Sequence, residues 1–208
     1  MTSSSKNKLL FFFDECSDKE IIPESLEHAY LAVLNEDLTA AKNIFKKHDS
    51  PRGRWGVAFT SILEGYITNY PTYFEIRNFL EIDVNLLLKN EKINYVEQFM
   101  GALDFLSGIN QETYKFAARV MYENKLYTAA LKYMEKSKEI YYNDAELHFM
   151  FAKYNLNFHR YNDALYYVNE CLKLIPDYYP ALILKEEILE KCGKHDIIKN
   201  VTTEVKGE

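Results

Sequence analysis

A spacing of 34 residues constrains this chain more than any other feature. Moving residues 145–176 back by that interval sets Ala118 under Ala152, Tyr127 under Tyr161, Ala130-Leu131 under Ala164-Leu165 and Tyr133 under Tyr167. Five identities at one fixed offset are hard to obtain by accident. Within the stretch, Ala152 is a small residue in the first apolar period and Tyr161 opens a second. Leu172 then leads to a stop at Pro176. The pattern reads as two short helices folded back on each other, a unit whose recurrence is the mark of a stacked array.

The composition agrees with a helical reading. Only 7 glycines and 5 prolines punctuate 208 residues, too few for an all-β chain that turns every ten residues or so. With 48% apolar residues the chain can bury a continuous core. A formal charge of -6 argues against a surface that tracks phosphates, so nucleic acid is not an expected partner. The 17 tyrosines and 13 phenylalanines have two readings, a bias of the coding DNA or an aromatic binding surface.

Cys16, Cys171 and Cys192 form no paired framework, which suits a reducing compartment and a cytoplasmic location. No segment reaches the roughly 18 consecutive apolar residues of a membrane span. Lys6 and Lys8 precede Leu9-Leu10-Phe11-Phe12-Phe13, but this apolar run ends at Asp14-Glu15, short of the roughly 7 to 15 residues of a secretory core.

In chain order, residues 1–21 read as a flexible segment with one apolar patch, Leu9 to Phe13. That patch either tucks against the first helices or enters a groove of another copy and makes a homodimer. Ile22-Pro23-Glu24-Ser25 starts a helix with the stripe Leu26, Ala29, Tyr30 and Val33, followed by a helix over residues 38–47. Asp49-Ser50-Pro51 caps a third, in which Trp55 reads as core. Arg52 and Arg54 flank Gly53 there and could hold an anion, although a solvated turn is the simpler reading. A strongly apolar helix runs from Asn69-Tyr70-Pro71 to Lys89, and another covers residues 93–107 with Gly108 as its C′ residue. Counted in pairs from the start, the 93–107 helix has no mate. From Gln111 the register becomes regular: residues 111–144, 145–178 and 179–201, the last with a turn at Lys194-His195, then a tail over 202–208.

The 34-residue period, the small residues at Ala118, Ala130, Ala152 and Ala164, and the proline after the second helix resemble the tetratricopeptide repeat family. The resemblance is specific over about residues 111–201 and divergent over 22–110. It implies an all-α, right-handed α-solenoid of antiparallel helix pairs, with about 10 to 11 helices, that binds proteins or peptides rather than catalysing. It also implies a concave groove lined by the first helix of each pair. Carried onto this chain, its positions fall on Glu112, Lys115, Arg119, Tyr122 and Glu123, then Glu146, Phe149, Lys153, Leu156 and Asn157, then Ile183, Glu187, Glu190 and Lys191. Lys115, Arg119 and Lys153 would form a positive strip with Tyr122 and Phe149 as anchors, suited to an acidic peptide with a bulky apolar residue. The plain alternative is a solvated helix face.

One branch of that family clamps a C-terminal carboxylate with Lys, Asn, Asn, Lys and Arg. Lys115 matches the first, but Arg119, Met150, Pro180 and Leu184 stand at the others, so the clamp is absent. A secretion-type chaperone remains an alternative.

Nothing in the sequence calls for a cofactor or metal. The histidines are scattered, and Cys192-Gly193-Lys194-His195 supplies half a zinc site at most. Cys171 falls where the family places a small residue and reads as a buried thiol. No phosphate-cradling loop or nucleophile elbow occurs, so no enzymatic activity is expected.

Overall fold

A computed structural model describes residues 24–204, and for residues 24 and 194–204 their backbone alone. The apolar run Leu9 to Phe13 and Cys16 lie outside the described residues. Those residues are all-helical. A single 3-10 turn, Glu24–Leu26, leads into α1 (Glu27–Leu34), α2 (Leu38–Phe45), α3 (Pro51–Leu63), α4 (Tyr73–Lys89), α5 (Ile93–Gly101), α6 (Leu103–Ile109) and α7 (Thr113–Glu123). Next come α8 (Tyr127–Ile140), α9 (Ala145–Asn157), α10 (Tyr161–Leu174) and α11 (Tyr179–Glu204). The chain divides into two compact units between Asn124 and Lys125.

Local chemistry starts these helices where the sequence places them. Asp37 accepts from the Ala40 amide at 2.9 Å, Ser50 from Gly53 at 3.0 Å and Asp144 from Leu147 at 3.1 Å. Thr72 and Glu75 form a reciprocal capping box at α4.

The helix ends carry the repeat. Glu36, Glu91, Lys125 and His159 all have positive φ, between 56° and 67°, and each is followed two residues later by a new helix. A left-handed residue past the last turn satisfies orphan carbonyls and reverses the chain. Glu91, Lys125 and His159 stand 34 residues apart. Seven positions before them lie Val84, Ala118 and Ala152, and five positions after lie Val96, Ala130 and Ala164, all buried. Small side chains at Ala152 and Ala164 allow α9 and α10 to approach closely. The helical hairpins are therefore of the α-solenoid type, and α4 with α5 already belongs to the register. The helix that stands outside it is α3, not the 93–107 segment that sequence counting leaves over.

Three expectations change. The 93–107 helix is two helices, because the Ala102 amide bonds to Phe99 at 3.0 Å and tightens the chain after Gly101. Gly108 sits inside α6 rather than past its end, and Asn110 caps it instead. No turn interrupts residues 194–195: α11 is continuous to Glu204, since no proline intervenes and a single glycine costs a helix only about 1 kcal/mol.

The core of the first unit is aromatic. Trp55 is fully buried, as its place on the α3 stripe implies, with ring centroids of Phe59, Phe79 and Phe99 at 6.2, 6.4 and 6.3 Å. In the second unit Ala152, Leu156, Ala164, Val168, Cys171, Ala181, Leu184 and Ile188 form one cluster that ties α9, α10 and α11 together.

Candidate interaction face

In the first unit, α7 packs on α4, and this contact decides what its groove residues can do. Lys115 is buried, with Nζ 2.8 Å from Glu112 Oε1. The Tyr73 hydroxyl donates to the other Glu112 oxygen at 3.1 Å. Burial pushes the Glu112 carboxyl up, but Lys115, Tyr73 and Arg77 outweigh it and hold the group below its ordinary value. Arg119 lies 3.1 Å from Glu81 Oε1 on α4, and Tyr122 is half-buried. Two members of the expected positive strip, Lys115 and Arg119, are thus paired with Glu112 and Glu81. A carboxylate with a depressed value adds stability above its unfolded value and loses it as pH falls through the folded one. Wild type should therefore be more stable than Glu112→Gln at neutral pH, and the two should converge in acid; urea midpoints across a pH series check this.

In the second unit the face of α9 is open. Phe149 is half-buried, its ring edge-on to Tyr178 at 5.4 Å between centroids. One turn on, Lys153 is exposed with its ammonium 5.8 Å from the Phe149 ring. Asn157 follows, also exposed. Leu156, expected beside it, is instead core at 8% exposure, because it points between α10 and α11 rather than outward. From α11, Ile183 is 48% exposed, and Glu187 pairs with Lys191 at 2.5 Å. Phe149, Lys153, Asn157, Ile183 and Glu187 thus keep accessible surface among the described residues.

Of the two arginines at the start of α3, Arg54 is exposed, as the solvated reading expects, but Arg52 is not. Arg52 is buried and donates to Asp83 Oδ1 at 2.5 Å, while Trp55 Nε1 and the Tyr30 hydroxyl donate to Oδ2 at 2.6 and 3.0 Å. The Arg52 guanidinium also lies 4.5 Å from the Phe79 ring centroid and 5.0 Å from that of Tyr30. Arg54 is held by Glu75 at 3.0 Å, beside a cleft of about 620 Å³ whose walls include His48, Tyr70 and Glu75. The signal for this network was an acid, Asp83, set between Ile82 and Val84 in a strongly apolar helix.

Cys171 is buried and its thiol is pushed up to about 11 by burial, with Asp144 adding to it, which makes it unreactive. Among the described residues no group of three His, Cys, Asp or Glu side chains could hold a metal ion. Nor is any helix there long and apolar enough to cross a membrane.

No protein-family model matches this chain, and no curated protein does. Among solved structures, it is similar to a chain of the crystal structure of the APC/C hetero-tetramer Cut9-Hcn1, at 18% identity and a TM-score of 0.42. The alignment covers 89% of this chain and 47% of that one, so this chain spans about half its length.

Proposed function

We propose that this protein is a non-catalytic interaction module, and that its second unit binds a peptide carrying an acidic residue next to a bulky apolar one. The observation that carries the reading is the Phe149–Lys153 pair. A ring already braced by Tyr178 loses little freedom on contact, and an ammonium at its edge meets the partner's acid. Ile183 extends the apolar contact and Asn157 offers hydrogen bonds to a backbone. The tetratricopeptide resemblance supports the same role. Lys115 and Arg119 contribute less than their positions in that family suggest, because Glu112 and Glu81 already occupy them.

Selection of a random peptide library on the intact protein tests this. Enriched peptides should share an acid beside an aromatic or large aliphatic residue. Their affinity should fall about tenfold or more in Phe149→Ala and in Lys153→Glu, in line with the loss of an anchor. Enrichment without acids, or peptides held equally by both variants, would place the binding face elsewhere.

A further inference from the structure

We infer that α11 joins two copies of this chain, lying antiparallel to the same helix of a second copy through the face that carries Leu182 and Leu189. This contact is separate from the peptide face. Ala181, Leu184 and Ile188 turn α11 into the core, and Ile183 and Glu187 stand on the side discussed above. A third side runs through Tyr179, Leu182, Glu186, Leu189 and Gly193, at steps of three or four residues, with Lys185 beside it, three residues after Leu182 and four before Leu189. Tyr179 is 71% exposed, Leu182 41% and Leu189 48%. Such a row of exposed apolar side chains, left open among the described residues, is a contact surface.

Its occupant is identified by the way the row complements itself. A two-fold axis passing between Lys185 and Glu186 sets Leu182 against Leu189 of the second copy, and Lys185 against Glu186, each pair occurring twice. Tyr179 then falls opposite Cys192 and beside Gly193, where an added Cβ would find nothing within 4 Å, so the ring has room. The overlapping stretch, Tyr179 to Cys192, is about 20 Å long. Lys185 and Glu186 make no ion pair among the described residues, whereas the neighbouring Glu187 and Lys191 pair with each other. A parallel arrangement would oppose Lys185 to Lys185 and forfeit the complementarity.

Sedimentation equilibrium of the intact chain under reducing conditions tests the pairing. Wild type should be a reversible dimer. Lys185→Glu and Glu186→Lys each introduce two like-charge contacts and should each weaken the dimer about tenfold. The double reversal restores both opposite-charge pairs and should return to within about threefold of wild type. Leu182→Glu with Leu189→Glu should leave monomer. The inference is overturned by a wild-type monomer at every concentration, by a larger assembly, by a dimer indifferent to the single reversals, or by a double reversal as weak as the singles. Peptide binding at Phe149 is read separately and survives any of these results.

Discussion

Asp83→Ala is expected to destabilise the protein by about 3–5 kcal/mol, the range for removing one partner of a buried ion pair. The substitution leaves the Arg52 charge, which is 4% exposed, facing a cavity. It also takes the acceptor from Trp55 Nε1 and from the Tyr30 hydroxyl, both on fully buried residues. Burial pushes the Asp83 carboxyl up from its ordinary value, and Arg52, Trp55 and Tyr30 each pull against that rise. The network joins α1, α3 and α4, so its loss loosens the packing of all three. Replacing both charges, as Arg52→Met with Asp83→Leu, removes the stranded group and should recover at least about half of the loss. Urea midpoints of wild type, the single and the double variant decide the matter. A single substitution costing under about 1 kcal/mol would mean that water reaches the pair.

The sequence displayed what is local and periodic. The cap at Ser50 and the small residues at Ala118, Ala130, Ala152 and Ala164 are signals read within a few residues, or at a fixed 34-residue step. The same step passes through Glu91, but nothing in Glu91 itself announces a left-handed turn, since the residue that serves at these turns is Glu, Lys or His rather than glycine. That is why counting pairs along the sequence leaves the 93–107 helix over, although α4 and α5 share the 34-residue step.

The face was less legible, for one physical reason. Exposure depends on partners distant in sequence. Arg119 occupies a groove position, yet α4 brings Glu81 against it from 38 residues away, and Tyr73 of the same helix holds the Glu112 that pairs with Lys115. Leu156 occupies such a position too, and the approach of α10 and α11 takes it into the core. Arg52 next to a helix start looks solvated until Asp83 is placed 2.5 Å away. The Lys153–Phe149 contact lies one turn apart on a single helix and is visible in the sequence, whereas Tyr178, which meets the Phe149 ring, stands 29 residues further on.

Gly56→Ala tests the closest helix contact in the first unit, and two effects of opposite sign compete in it. Alanine in place of glycine inside a helix ordinarily gains about 1 kcal/mol. Here a Cβ on residue 56 would lie 2.2 Å from Phe45 Cδ1, with two further ring atoms at 2.4 and 2.5 Å. Phe45 is fully buried and its ring is edge-on to Tyr30 at 5.0 Å, so it has little room to retreat. Overpacking of this kind costs about 1–3 kcal/mol or more, and the clash should win, making Gly56→Ala a net loss. The Phe45→Leu background separates the two effects. It removes the ring, and there Gly56→Ala should become neutral or stabilising by up to about 1 kcal/mol. Gly53→Ala serves as the control, because its Cβ would meet the His48 carbonyl oxygen at 2.2 Å, a backbone atom that trimming Phe45 does not move. That variant should stay destabilised in both backgrounds. A Gly56→Ala protein more stable than wild type would show that α2 and α3 stand farther apart than the Phe45 contact requires.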